Sequence, residues 1–135
     1  MLIYLSSPSP LYGPNVLVIN VKTHSVIASI SVGVIPFRLA FTPNCKVLYV
    51  LDESADTIFI FNVNTHSLIA STPFEKAPLC IAFTPDSKLA YVTCINGTVP
   101  VIDVKTHSII ANVPVRFPKC IAITPESKLA YGVTD

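Results

Sequence analysis

Three histidines recur in one phrase: Thr23-His24-Ser25, Thr65-His66-Ser67 and Thr106-His107-Ser108. Imidazoles can ligate metals or move protons, but ligand nitrogens must lie about 2.0 Å from a shared zinc ion. Equivalent turns of successive repeats stand too far apart for that. Histidine also tolerates the left-handed backbone of tight turns, so all three are expected to be turn residues. Asp52, Glu53 and Asp56 form an oxygen-rich stretch of a kind that suits calcium. It lacks the glycine turn and ligand register of a calcium loop and is expected to be solvated. Cys45, Cys80, Cys94 and Cys120 show no CxxC and no zinc-like spacing. They are expected to be free, buried thiols acting as small apolar residues, which leans toward a reducing compartment. Cys80 and Cys120 share one repeat position and are expected in neighbouring units without facing each other. There is no GxSxG, no HExxH and no glycine-rich phosphate loop. No catalytic residue, metal ligand or cofactor is assigned.

The elements that carry these residues repeat. Leu39-Ala40-Phe41-Thr42-Pro43 returns as Ile81-Ala82-Phe83-Thr84-Pro85 and as Ile121-Ala122-Ile123-Thr124-Pro125, and both phrases recur every 40 to 42 residues. Such a period marks an array or propeller, in which one unit cannot bury its own apolar face. The 135 residues divide into repeats at approximately 1–43, 44–85 and 86–125, with a fourth begun at 126–135. Hydrophobic residues make up 51% of the chain and charged residues 13%, about half the usual charged share. Mean hydropathy is +0.61. Three units cannot hide that much apolar surface, so further blades or another protein chain are the expected partners.

A net charge of +1 without a basic run argues against nucleic acid, since phosphate binding needs clustered positive charge. No apolar stretch approaches the ~18 residues of a membrane-spanning helix, so no membrane insertion is expected. Met1-Leu2-Ile3-Tyr4-Leu5-Ser6 lacks the basic start of a signal peptide. As written, the chain is expected to stay in the cytoplasm.

Within the second repeat, β-branched and aromatic runs separated by turn residues predict strands. They lie at Val47 to Asp52, Thr57 to Asn62, Ser67 to Thr72 and Leu79 to Thr84. Thr84-Pro85-Asp86-Ser87 is a tight turn, with Pro presetting φ and Asp bonding its own backbone. Ile58-Phe59-Ile60-Phe61 and Val16-Leu17-Val18-Ile19 are apolar at consecutive positions. A sheet apolar on both faces must be covered on both faces. A four-stranded antiparallel sheet repeated every ~40 residues is a propeller blade. The fold class is therefore all-β, a partial β-propeller of about three four-stranded blades plus one extra strand.

Thr84-Pro85-Asp86-Ser87-Lys88 followed by Leu89-Ala90-Tyr91-Val92-Thr93 resembles the signature of the YVTN-repeat β-propeller family, as does Val101-Ile102-Asp103-Val104 followed by a hairpin turn and Ile109 to Val115. Cys94 stands where the family usually has Asn. Ser87, Ser127 and Cys45 replace its usual Gly. The resemblance implies a closed propeller, often of seven blades, in a family that includes surface-layer and other exported proteins.

The Thr-Pro and Thr-His-Ser turns barely change among repeats, and strand order puts both on one rim. The opposite rim varies: Ser6 to Asn15, Gly33 to Pro36, Asp52 to Thr57, Phe74 to Pro78, Cys94 to Thr98 and Arg116 to Pro118. Variable loops on a rigid scaffold are where binding concentrates. Tyr12, Arg38, Glu53, Lys76, Arg116 and Lys119 are the candidate binding residues there, with Arg38 near the channel as a lining residue or an anion contact. The expected function is that of a non-enzymatic binding or protein-interaction scaffold, or of a fragment of a larger propeller. The alternative is a propeller-scaffold enzyme or cofactor-binding protein with its site at the channel mouth.

Overall fold

The computed structural model describes residues 2–7, 15–32, 36–126 and 128–134. They form thirteen strands. No helix long and apolar enough to cross a membrane is present among them. The first sheet holds β1 (Leu2–Ser7), β2 (Asn15–Asn20) and β3 (Ser25–Ser31). The second holds β4 (Pro36–Phe41), β5 (Val47–Asp52), β6 (Thr57–Asn62) and β7 (Leu68–Pro73). The third holds β8 (Pro78–Phe83), β9 (Leu89–Cys94), β10 (Thr98–Asp103) and β11 (Ser108–Pro114). The fourth holds β12 (Pro118–Ile123) and β13 (Ala130–Thr134). Within each sheet, strands that follow one another in sequence pair antiparallel.

Thirteen strands is the number that three blades and one extra strand require, but the partition differs from the repeat boundaries expected. The hydrogen-bonded units are 2–31, 36–73, 78–114 and 118–134. The strand after each Phe74-type or Arg116-type connection opens the next sheet instead of closing the one before. Two blades are complete, and a three-stranded and a two-stranded sheet flank them. Sequence periodicity sets the length of a repeat and is silent on where the chain steps from one sheet to the next.

The apolar runs do cover both faces. Along β5, Leu48 and Val50 enter a core with Val16, Val18, Ile30, Val32 and Phe61. Tyr49 and Leu51 point the other way, into a second core with Ile58, Ile60, Ala90, Val92, Cys94 and Ile102. All four β5 residues are at most 1% exposed. Side chains alternate between faces along a strand, so consecutive apolar residues feed two interfaces at once.

Two bulges recur. In the first strand of each later sheet the register skips one residue after the proline, at Phe37, Leu79 and Lys119. In each outer strand it skips Ile27, Ile69 or Ile110, and all three are exposed. A bulge adds twist and re-aims its side chain.

The repeated turns have a common chemistry. In each Thr-His-Ser turn the histidine is left-handed, with φ of 55°, 57° and 59°. Its N–H donates to the carbonyl of Asn20, Asn62 or Asp103. Side-chain oxygens of those same residues accept from the two intervening N–H groups. The Thr and Ser hydroxyls then bond each other at 2.6–2.7 Å. In the Thr-Pro turns, Thr42 and Thr84 hydroxyls donate to Asn44 and Asp86 and accept from the N–H of Val47 and Leu89. Asp86 is held below the usual carboxylate range by the Thr84 hydroxyl and the Lys88 N–H.

Cys45 and Ser87 fill the position where the resembled family has Gly, at φ of 57° and 61°. A left-handed residue with a Cβ costs roughly 1–2 kcal/mol, partly offset by the greater chain entropy that Gly loses on folding. Cys45→Gly is expected to raise stability by about 0.5–1 kcal/mol, read as an increase in the urea midpoint without a change in slope. An unchanged or lower midpoint would show that the turn is unstrained.

Candidate functional site

The six candidate residues fall into different surroundings. Tyr12 lies outside the described residues. Glu53 is exposed in the turn after β5, and Lys76 is exposed in the connection between the second and third sheets. Arg38 is exposed on β4, its guanidinium 5.4 Å from the Phe37 ring centre. Arg116 stands 6.0 Å from the ring of Phe117 in the connection to β12. Lys119 is exposed on β12, and its backbone carbonyl accepts a 3.2 Å bond from the Thr93 hydroxyl. The structure groups Arg38 with the cysteine pair below and Arg116 with Phe117. It does not gather the five described candidates into one cluster.

Arg116 and Phe117 line a cavity of about 310 Å³ with Ile95, Asn96, Gly97 and Val115. Two backbone features shape it. The Val115 N–H donates to the Gly97 carbonyl at 3.0 Å, and a Cβ on Gly97 would meet the Val115 carbonyl oxygen at 3.3 Å. Phe117 is left-handed, with φ of 48°, and is 59% exposed. A bulky aromatic in that conformation is a genuine outlier, and it directly precedes Pro118 at the start of β12. A larger hollow of about 630 Å³ lies on the opposite rim, between Asp86, Lys88, Asp103 and Lys105. Its charges are balanced, and its two carboxylates already serve the repeated turns.

The acidic stretch is not a uniformly solvated loop. Asp52 is only 1% exposed. Its Oδ1 accepts from the Ser54 N–H, the Ser54 hydroxyl and the Ala55 N–H at 2.8–2.9 Å, which makes it the keystone of the β5–β6 turn. Its Oδ2 is buried without a hydrogen-bond partner. Among the described residues, no three His, Cys, Asp or Glu side chains are placed to hold a metal ion.

The cysteines also depart from expectation. Cys80 and Cys94 are buried, whereas Cys45 and Cys120 are exposed. Cys80 and Cys120 do face each other, Sγ to Sγ at 3.5 Å. Equivalent residues of neighbouring units meet here because β8 and β12 are the inner strands of adjacent sheets and lie side by side. Near the axis, successive blades converge. Spacing along the sequence carries no trace of that convergence.

His107 is a turn residue with a second role. Its Nδ1 lies 3.4 Å from the hydroxyl of Tyr49, a fully buried residue of the preceding sheet. The Thr72 hydroxyl, also from that sheet, donates to the His107 carbonyl at 2.8 Å. Tyr49 stacks edge-on against Phe83 at 5.0 Å. Burial, reinforced by the charge of Asp103, pushes its phenol well above its usual range. Burial likewise holds His107 below the ordinary histidine value, against an opposing pull from Asp103. The Thr-His-Ser motif alone cannot distinguish this histidine from His24. The signal was Tyr49 and Thr72, one repeat upstream.

The chain is a partial, unclosed β-propeller. It superposes on hydrazine synthase of Kuenenia stuttgartiensis with a TM-score of 0.89 and 24% sequence identity over 99% of its length, and spans 39% of that longer chain. Among solved structures 936 chains match, so the likeness establishes architecture and leaves activity open. No protein-family profile and no curated protein matches the chain.

The folded-state histidine value lies below the unfolded one, so protonation favours the unfolded chain. The contribution of His107 is present above the unfolded value near pH 6.5 and is lost as pH falls through and below it. His107→Asn keeps the left-handed turn but strands the Tyr49 hydroxyl, costing about 1–2 kcal/mol. His24→Asn is expected to be close to neutral. Urea denaturation at pH 7.5 and 5.5 should show a pH-dependent loss in the parent that is smaller in His107→Asn. Equal pH dependence in both would remove His107 from this role.

Proposed function

We propose that the chain is a non-enzymatic interaction scaffold, a run of propeller blades whose open end binds further blades, supplied by additional chain or by a second copy. One observation carries this reading. Tyr131 and Val133 on β13 are 64% and 59% exposed, whereas Tyr49 and Leu51, at the same positions of β5, are 0% exposed. The difference is the area covered by a following blade together with a third strand beside β13. Beside them Leu129 is 56% exposed. Burying apolar area at about 25 cal/mol per Å² makes covering this face worth several kcal/mol.

The sheet edges point the same way. Among the described residues, β13 has no partner on the edge where β5 and β9 receive their third strands, and β1 has none where β5 and β9 receive their first. β13 and β1 occupy the same place in a blade and run in the same direction. Simple head-to-tail closure would therefore pair them parallel in an otherwise antiparallel sheet. Added strands or face-to-face stacking satisfy these ends better. Unpaired edges are templates for strand addition. The Thr-Pro-Asp and Tyr-Val-Thr phrases support the finer assignment to the YVTN-repeat propellers, a family that includes surface-layer proteins. On the loop rim, the Arg116–Phe117 cavity and exposed Arg38 and Lys76 are the surface where a further protein partner would dock.

Light scattering at micromolar concentration tests the proposal. The parent chain is expected to self-associate, and Tyr131→Lys with Val133→Lys should return it toward monomer while the spectroscopic β signature persists. A monodisperse parent monomer with a sharp unfolding transition would refute the reading.

A further inference from the structure

We propose that Cys80 and Cys120 form a reversible disulfide that staples the last complete blade to the two-stranded sheet after it. The pair sits on neighbouring inner strands, β8 and β12, each residue directly after its recurrent bulge. Their sulfurs are 3.5 Å apart, so bond formation closes a gap of about 1.5 Å. That is within reach of side-chain rotation with the strands in place. The third residue of the row is Arg38, at the equivalent position of β4, and its charge acts on Cys80.

The two thiols differ in access, which orders the chemistry. Cys120 is exposed and Cys80 buried. The Cys120 thiolate attacks one sulfur of a small-molecule disulfide. A mixed disulfide forms and one small thiolate leaves. Cys80 then loses its proton to solvent, and its thiolate attacks the Cys120 sulfur. The Sγ–Sγ bond forms, and the second small thiolate leaves. The protein gives up two electrons and two protons, and the small disulfide becomes two thiols. Burial pushes the Cys80 thiol up, while the nearby Arg38 guanidinium favours its thiolate. Cys94 stays out of this exchange. It is buried, and burial together with the charge of Asp56 pushes its thiol up to about 12.

The bond would have a mechanical consequence. Beyond strand contacts, the Thr93 hydroxyl on the Lys119 carbonyl is a direct polar tie from the third sheet to β12. A disulfide here closes a loop of about 40 residues and restricts the unfolded chain accordingly. The redox poise of the surroundings then sets how firmly the terminal sheet, with its exposed apolar face, is held.

The test uses the full chain equilibrated in glutathione buffers from fully reduced to fully oxidised, then acid-quenched and alkylated. In oxidised buffer, with Cys45→Ser as the background so that its exposed thiol takes up no glutathione, the intact mass should show one alkylated thiol in place of three. A proteolytic peptide should link Cys80 to Cys120. The thermal midpoint should rise by about 10 °C. Cys80→Ser should accumulate a stable glutathione adduct on Cys120, and Cys120→Ser should show neither cross-link nor rise. Three alkylatable thiols in oxidised buffer, a stable glutathione adduct on Cys120 in the Cys45→Ser background, or only intermolecular links would overturn the proposal. So would a cross-linked chain without a thermal shift.

Discussion

Every complete blade is apolar on both faces, and this constraint organises the rest of the molecule. β5 shows it most plainly. Its four central residues are buried, two in each of two cores. A sheet of this kind has no wet side and is stable only between two others. The stacking of sheets, the short reversals and the exposure at the C-terminal end all follow from it. An array with two-faced units and finite length leaves apolar surface at an end unless something covers it.

Burial by itself is non-directional and would let one blade slide on the next. The polar ties between blades prevent that. The Asn44 N–H donates to the Ser87 hydroxyl at 3.0 Å, linking consecutive turns on the repeated rim. Thr72 and Tyr49 meet His107 near the outer strand. Thr93 reaches the Lys119 carbonyl, and Cys80 meets Cys120, near the axis. These contacts use different residue types at each interface. The shared apolar cores hold the sheets together, and the individual side chains set their registration.

The two rims divide the work of the chain. One carries turns whose donors and acceptors are consumed locally, down to the Thr–Ser hydroxyl pair flanking each left-handed histidine. Little hydrogen-bonding capacity is left there for a ligand. The other carries the Arg116–Phe117 cavity, a strained aromatic and exposed cations. Its loops differ from blade to blade, each with its own local support, as Asp52 gives the β5–β6 turn.

The repeat, its length, the strand positions and the two-faced character of the sheets were legible from residue types alone, because turn chemistry and apolar runs are local. Val47 to Asp52 and Thr57 to Asn62 fall on β5 and β6 residue for residue. The left-handed histidines and the division into two rims were equally readable. Tertiary structure decided what depends on neighbours in space. It placed the sheet boundary one strand earlier than the repeats suggest. It buried Asp52 under the turn it organises, gave His107 a partner in the preceding blade, and brought Cys80 and Cys120 together. The physical reason is convergence. Equivalent residues lie 40 positions apart along the chain, yet inner strands of adjacent blades pack side by side around one axis, and no local pattern encodes that distance.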